Sequence, residues 1–305
     1  MRVAFDSRPA RDPRGIGRYV RCLLPALRET APAGAEIVET NRPGHADVFH
    51  SPWIDGALLR SPVRQVVTLH DLIPLRRRAE YLRTGLRFRL RYLAVQRATL
   101  VIVPTQAVAR DAIEHLGLDP ARVRTIGEAP APAFVPRRSE DVAAARRAHG
   151  VPDEYLLWVG GLEHPEPRKR VAALAAAPRS LPLVLAGPAS RWARELDDVI
   201  VTGHVPDDEL AALYTGARAL VFASDDEGFG LPPVEALACG TPVVACDVPA
   251  LREVLGDRAT FVDRDDLSGL ILAAEGARRP APEPPPLTWQ DAARATWRAY
   301  EAALA

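Results

Sequence analysis

The sequence has no net charge, no long apolar run and no secretory leader, and each absence excludes a class of protein. Lysine plus arginine and aspartate plus glutamate both total 39 among 305 residues, so no charge excess favours a nucleic-acid partner. No apolar run approaches the roughly 18–20 residues that a bilayer-spanning helix needs. The first residues read as a strand and lack the apolar region of a signal peptide. These features predict a cytoplasmic protein that binds no nucleic acid.

Cysteines are also few. Cys22, Cys239 and Cys246 are odd in number, widely spaced and set among apolar residues. Such a set indicates core thiols in a reducing compartment, not disulfides or a metal site. A hydrophobic content of 48% and a charged content of 26% describe a globular protein, and the length suffices for two domains.

Short β-branched runs alternate with helical patterns, which is typical of βα units around parallel sheets. A Pro/Ala-rich passage at residues 128–136, with the charged stretch that follows it up to Gly150, predicts the connection between two domains, and the proline-rich run 278–286 predicts an extended linker. Strands are predicted at residues 2–6, 47–50, 65–69, 100–103, 123–126, 155–159, 182–186, 198–201, 219–222, 242–245 and 259–262. Helices are predicted at residues 17–29, 82–98 and 105–116.

A last helix is predicted after the proline-rich linker. Thr288 is placed to cap it, and Thr105 is placed to cap the helix that follows the strand at 100–103. The apolar stripe of the last helix consists of Trp289, Ala293, Trp297, Tyr300 and Leu304. A proline-detached helix of this kind is expected to dock on a surface that already exists.

The most informative segment runs from residue 227 to residue 242, after the predicted strand at 219–222. Its sequence, EGFGLPPVE followed by ALACGTP, predicts a helix that begins near Pro232 and Pro233, since proline suits a first helical turn. The positive end of such a helix attracts an anion such as a diphosphate. Glu227 and Glu235, eight residues apart, are placed to accept hydrogen bonds from the hydroxyls of one ligand.

A second candidate loop begins at Gly160 and Gly161, after the predicted strand at 155–159. A glycine turn lets the backbone approach a phosphate closely, and the nearby Arg168 and Lys169 can neutralise it. The adjacent pair Asp225-Asp226 has no further ligand at metal-binding spacing, so we interpret it as two solvated turn carboxylates.

Three further features are weaker on their own. Gly15 and Gly17 lie in a βα loop that does not complete a dinucleotide-binding motif, because Val20 stands three residues after Gly17. His70 ends a predicted strand, which places its imidazole at the edge of the sheet where binding residues collect. A stretch at residues 50–53, HSPW, is a candidate lining for an acceptor pocket, although Trp53 also suits a core position.

These motifs resemble those of the family 4 glycosyltransferases, whose signature is two glutamates separated by seven residues. GIGRY at residues 15–19, HDLIP at 70–74 and EPRK at 166–169 match loops of the same family, and the likeness covers nearly the whole chain. The resemblance implies an α/β protein of the GT-B fold, with two Rossmann-like doubly wound parallel-sheet domains facing a cleft. The implied parts are an acceptor-side domain at 1–135, a nucleotide-sugar-binding domain at 150–280 and a helix at 287–305 that docks back on the first domain.

The resemblance also implies a function. The chain would be a retaining hexosyltransferase that moves a sugar from a nucleotide-sugar donor to a hydroxyl of a small-molecule or glycan acceptor. HDLIP and EPRK look mannosyltransferase-like, which favours GDP-mannose slightly over UDP-sugars. No metal or other cofactor is expected, because Arg168 and Lys169 would hold the diphosphate.

The family's site residues carry over by position. Glu227 and His70 would be catalytic residues that contact the donor sugar, and Glu235 would contact the ribose. Gly161 stands where many members have an arginine, so Arg168 and Lys169, later in the loop, would be the cations that bind the diphosphate. The implied donor-binding residues are Arg168, Lys169, Gly228, Phe229, Gly230, Leu231, Glu235, Gly161, Gly15 and Gly17.

Two other functions stay open from the sequence: a GT-B sugar-nucleotide epimerase or phosphorylase, and a catalytically silent sugar-nucleotide-binding scaffold. The segment at residues 76–97 is rich in arginine, with Leu82, Leu86, Leu90 and Leu93 on one predicted face. It has three interpretations: a solvated helix face, a site for an anionic acceptor, or peripheral contact with an anionic membrane at the inner face.

Overall fold

The computed structural model describes residues 1–77 and 85–305. The chain forms two compact units, one made of Met1–Ala129 with Leu287–Ala305 and the other of Pro130–Pro286. Residues 130–135, predicted as part of the first domain, thus lie in the second unit, as does the rest of the predicted connection, where Ser139–His149 forms a helix. The reason is local packing, since Phe134 is buried there with its ring edge-on to Tyr214.

Twelve strands and twelve α-helices, besides short 3-10 turns, lie in the part of the chain that the structure describes. The strands are β1 (Arg2–Phe5), β2 (Glu36–Glu39), β3 (Val48–Ser51), β4 (Arg64–Thr68), β5 (Leu100–Val103), β6 (Val123–Thr125), β7 (Leu156–Val159), β8 (Leu183–Ala186), β9 (Val199–Gly203), β10 (Ala219–Phe222), β11 (Val243–Cys246) and β12 (Thr260–Val262). The helices are α1 (Gly15–Glu29), α2 (Ile73–Arg76), α3 (Gly85–Arg97), α4 (Gln106–Leu116), α5 (Ser139–His149), α6 (Val171–Ala176), α7 (Arg191–Arg194), α8 (Asp207–Gly216), α9 (Leu231–Ala238), α10 (Pro249–Leu255), α11 (Leu267–Glu275) and α12 (Trp289–Leu304).

Each unit contains one six-stranded parallel sheet. The strand order is β2-β1-β3-β4-β5-β6 in the first unit and β12-β11-β10-β7-β8-β9 in the second. Four strands of the second sheet (β7, β8, β10 and β11) are buried along their whole length and consist almost entirely of apolar residues, as parallel strands covered on both faces must be. All eleven predicted strands are confirmed.

The strand order reverses between β1 and β3 in the first sheet and between β7 and β10 in the second. Doubly wound sheets bind ligands at the carboxyl ends of the strands that flank such a reversal. In the second unit those ends carry the loop with Arg168 and Lys169, after β7, and the loop with Glu227, after β10. In the first unit they carry the loops after β1 and β3.

The carboxyl-terminal helix α12 is part of the first unit and packs against α1. Trp297 is 2% exposed, and its indole N–H donates to the carbonyl of Leu27 at 3.0 Å. Thr288 caps the helix as predicted, because its hydroxyl accepts from the Asp291 amide at 3.1 Å. The predicted stripe is confirmed at its buried positions 289, 293, 297 and 300 but is wrong at Leu304, which is 40% exposed.

Two local predictions need correction. β2 was not predicted, since it is a short edge strand whose two terminal glutamates are exposed. The predicted helix at 82–98 begins outside the described residues, where the side chains of Leu82 and Leu86 also lie, and the expected leucine stripe is wrong at Leu90. Leu90 is 39% exposed, whereas Tyr92 and Val95 are buried.

Replacing Trp297 with alanine should destabilise the first unit by about 3–5 kcal/mol, because a buried indole and its hydrogen bond are lost. Chemical denaturation followed by circular dichroism measures this change. Arg298→Ala, an exposed position on the same helix, is the control and should change stability by no more than about 0.5 kcal/mol. A loss of stability in Trp297→Ala as small as that expected of the control would show that the buried indole does not stabilise the unit.

Candidate active site

The turn between β10 and α9 has the predicted form. α9 begins at Leu231 with prolines in its first turn. Gly230 has a φ of 93°, and a Cβ there would lie 2.5 Å from the Leu251 side chain, so the position requires glycine. Phe229 and Leu231 are buried, and so are Gly228 and Gly230, so close packing shapes the turn, and contact of residues 228–231 with a donor stays a prediction.

Arg168 joins the two loops that flank the strand-order reversal. Its Nη1 lies 2.5 Å from Oε1 of Glu227 and donates to the carbonyl of Asp226 at 3.1 Å. Its own carbonyl accepts from the Asp225 amide at 3.0 Å. The structure therefore brings together Arg168 and Glu227 as predicted. The expected solvation of the aspartate pair is wrong for Asp226, because the turn buries it.

Glu166 completes this cluster and was not among the predicted site residues. Its carboxylate lies 2.6 Å from Nε of Arg168 and 2.9 Å from Nζ of Lys169. Burial opposes ionisation of Glu166, but the charges of the two cations outweigh it and lower its pKa below the usual value. Lys169 also donates to the carbonyl of Gly161 at 3.4 Å, so all the predicted phosphate-binding groups of this loop meet at one place. The sequence indicates Glu166 as a site residue only by its position, because it precedes the two cations in the same loop.

Glu235 lies in the first turns of α9 but has no exposed surface. The hydroxyl of Tyr214 donates to its Oε2 at 3.4 Å. Contact between Glu235 and a ribose therefore requires movement of the residues that bury this side chain. The spacing of the two glutamates predicted a shared ligand, but in this structure only Glu227 reaches the surface, with 14% of its side chain exposed.

In the first unit, His70 follows β4 and makes hydrogen bonds with both ring nitrogens. Nε2 donates to the carbonyl of Pro52 at 3.0 Å, and Nδ1 lies 3.0 Å from Oε1 of Glu128. Burial alone would lower the pKa of His70, but the hydrogen bond and charge of Glu128 raise it above its usual value. The two hydrogen bonds fix the orientation of the ring, which is held edge-on against Tyr19 at 4.7 Å. Glu128 was not predicted, because it is 58 residues from its partner in sequence.

The pKa of His50 is shifted in the opposite direction from that of His70. Burial lowers its pKa to about 3, so the ring is neutral. Its nitrogens lie 2.6 Å from the hydroxyl of Tyr300 and 2.9 Å from that of Thr68. Since His50 has no exposed surface, the predicted lining of an acceptor pocket by this side chain is wrong. Trp53 is partly exposed, and its indole N–H donates to Asp6 at 3.0 Å.

The glycine loop before α1 contains one sterically required glycine. A Cβ on Gly17 would lie 1.8 Å from the carbonyl oxygen of Asp12, so no other residue fits. Gly15 faces open space, and nothing in its surroundings requires glycine. The loop is therefore shaped by close backbone packing at Gly17.

Several expected features can be compared with the described residues. The three cysteines are free, and Cys239 and Cys246 are buried, as predicted. Thr105 caps α4 by accepting from the Val108 amide at 3.2 Å.

Within residues 1–77 and 85–305, no group of three or more His, Cys, Asp or Glu is arranged to hold a metal ion. The same residues include no helix with the length and apolar character needed to cross a membrane.

The arginine-rich segment at 76–97 lies partly outside the described residues. Arg76 pairs with Asp111 at 2.6 Å and Arg91 pairs with Asp55 at 2.9 Å. These two arginines therefore form ion pairs within the first unit. Contact of the segment with an anionic membrane or acceptor stays a prediction.

Sequence comparisons match both units to glycosyltransferase families. The family model described as Glycosyltransferase Family 4 matches residues 2–128, and the one described as Glycosyl transferases group 1 matches residues 153–276. The serotype-specific mannosyltransferase WbdA of Escherichia coli is 32% identical over 242 residues, which cover 71% of this chain and 29% of WbdA. The D-inositol 3-phosphate glycosyltransferase of Acidothermus cellulolyticus is 30% identical over 264 residues, 75% of this chain and 57% of that protein.

A solved structure shows the same fold at low identity. Anabaena Alr3699/HepE in complex with UDP-glucose superposes with a TM-score of 0.68 at 17% identity, covering 99% of this chain and 95% of HepE. The two six-stranded parallel sheets with flanking helices are those of the GT-B fold. With both units matched, the chain belongs to the family 4 glycosyltransferases. It spans less than two thirds of the length of either sequence relative.

The Glu128→Gln substitution should lower the pKa of His70, because burial would then act without the opposing carboxylate. A raised pKa in the folded state stabilises the protein below the unfolded value of 6.5 and loses this effect as the pH rises through the folded value. The wild type should therefore be more stable than the variant by about 1.5–3 kcal/mol at pH 6 and by less at pH 9.

NMR titration of the His70 ring and denaturation at the two pH values measure these effects. Glu114→Gln removes an exposed carboxylate from α4 and should change neither quantity. An unchanged His70 titration in Glu128→Gln would contradict the ion pair.

Proposed function

We propose that the chain is a retaining glycosyltransferase that moves a hexose, mannose foremost, from a nucleotide-sugar to an acceptor hydroxyl. The observation that carries this proposal is the cluster at the strand-order reversal of the second sheet, in which Arg168 pairs with Glu227, and Glu166 pairs with both Arg168 and Lys169. Cations for a diphosphate and a carboxylate for sugar hydroxyls stand together at the edge where such sheets bind nucleotides.

The relatives support the class of donor. The relative of Escherichia coli is by name a mannosyltransferase, and the structural neighbour HepE was solved with UDP-glucose. Both agree with a nucleotide-sugar donor. The choice of GDP-mannose over a UDP-sugar rests on the HDLIP and EPRK motifs and is part of the proposal.

In the proposed reaction, Arg168 and Lys169 stabilise the negative charge that builds on the leaving nucleoside diphosphate. A planar guanidinium can hold two phosphate oxygens, while the ammonium supplies a compact charge. Charged donors that are already in place where charge develops are among the largest contributions to catalysis. The proposal includes no metal and no cofactor.

Glu227 would accept hydrogen bonds from the sugar hydroxyls, and the backbone of residues 228–231 would border the same sugar. Its ion pair with Arg168 keeps Glu227 oriented, which suits a binding carboxylate better than an attacking one. We therefore propose front-face attack, in which the acceptor hydroxyl replaces the diphosphate on the face from which it leaves. Glu235 would bind the ribose after its cover shifts, and the role of His70 at the donor sugar stays a prediction from the family resemblance.

The acceptor is proposed as a class only. One relative is by name a serotype-specific mannosyltransferase and the other acts by name on D-inositol 3-phosphate. A glycan and a small polyol therefore both suit the chain, and both present the free hydroxyl that the reaction needs.

The proposal is tested with a panel of nucleotide-sugars and nucleoside diphosphates, since a ligand that binds the native state raises its apparent stability. Glu227→Ala should reduce transfer by about 10²–10³-fold while the protein still binds the nucleoside diphosphate. Product analysis with the stabilising donor and an acceptor panel measures the rate. Glu253→Ala, an exposed carboxylate on α10, should leave the rate unchanged.

Three results would contradict the proposal. Full activity of folded Glu227→Ala would remove the central residue. Conversion of the donor without consumption of an acceptor would indicate an epimerase. Donor binding with no turnover across the acceptor panel would indicate a binding scaffold.

A further inference from the structure

The cluster around Arg168 is electrically neutral within itself. Arg168 and Lys169 supply two positive charges, and Glu166 and Glu227 supply two negative ones at 2.5–2.9 Å from them. All four side chains are largely buried, with exposed fractions between 14% and 28%. A diphosphate that approached this set unchanged would meet no net attraction.

The hydrogen-bonding groups of the two cations are also engaged. Nε of Arg168 faces Glu166, and Nη1 faces both Glu227 and the carbonyl of Asp226. Nζ of Lys169 faces Glu166 and the carbonyl of Gly161. Glu166 thus occupies, with its two carboxylate oxygens, the bridging position between the cations that two phosphate oxygens would take.

We propose that Glu166 is an internal counter-ion that competes with the donor's diphosphate for Arg168 and Lys169 and is displaced when the diphosphate binds. The inference rests on the proposed function and adds a residue that limits donor affinity. Displacement favours an anion with more than one charge and at least two oxygens, because such an anion replaces both contacts of the carboxylate at once. Glu166 therefore selects for the diphosphate over singly charged anions.

Glu166 is better placed for exchange than Glu227. It contacts both cations, whereas Glu227 contacts Arg168. Its side chain is also twice as exposed, 28% against 14%, so it can turn toward solvent when it is displaced. Glu227 stays paired in that event and keeps Arg168 attached to the loop after β10.

Calorimetric titration with GDP and UDP tests the proposal on the full chain. Glu166→Gln keeps the shape of the side chain and removes its charge, so the Kd of the bound nucleoside diphosphate should fall about fivefold to tenfold, the scale of one partly exposed ion pair. Glu166→Ala is measured in parallel and should shift the Kd in the same direction. Glu195→Gln removes an exposed carboxylate of the same unit and should leave the Kd within about twofold of the wild type.

The outcomes separate this inference from the function on which it rests. Tighter binding by both Glu166 variants, with the control unchanged, supports the counter-ion. Equal or weaker binding by the folded variants, with normal binding by the wild type, would overturn it and make Glu166 a support for the cations. Absence of nucleoside diphosphate binding in all the proteins would reject the donor site itself.

Discussion

The contact between Arg168 and Glu227 joins the loops after β7 and β10, the two strands at which the second sheet reverses its order. The reversal leaves a gap between the connections on either side of it, and a backbone hydrogen bond from the Asp225 amide to the carbonyl of Arg168 crosses that gap. The ion pair does so through side chains that are 14% exposed, in surroundings where charge screening is weak. The positions of Lys169 and Glu166 follow from this link, because both residues belong to the loop that Arg168 anchors.

The features that could be predicted from the sequence are those governed by neighbours along the chain. Thr105 and Thr288 cap helices through an amide three residues away, and the prolines at the start of α9 act within one turn. The buried strands were predicted because covered parallel strands are continuous apolar runs. β2 escaped prediction since an exposed edge strand carries no such run. Local physics therefore accounts for most of the fold.

The site depends more on contacts between distant residues, and these could be predicted only through the family resemblance or not at all. Glu128 is 58 residues from His70, and no pattern in either segment links them. The burial of Glu235 follows from the packing around α9 and Tyr214. The spacing between the two glutamates in the sequence does not predict this packing. Glu166 could be found by position but its role could not, because that role depends on which oxygens face which cations.

The two histidines of the first unit show why residue type is a poor guide to charge. His50 lies in β3 and His70 follows the neighbouring strand β4, and burial acts on both in the same direction by disfavouring the charged ring. The hydroxyls of Tyr300 and Thr68 satisfy His50 without supplying charge, so burial prevails and the ring is neutral. The carboxylate of Glu128 reverses the balance at His70 and raises the pKa of that ring above its usual value. Burial is common to both rings, so a partner that carries a full charge decides in which direction the pKa of each histidine moves.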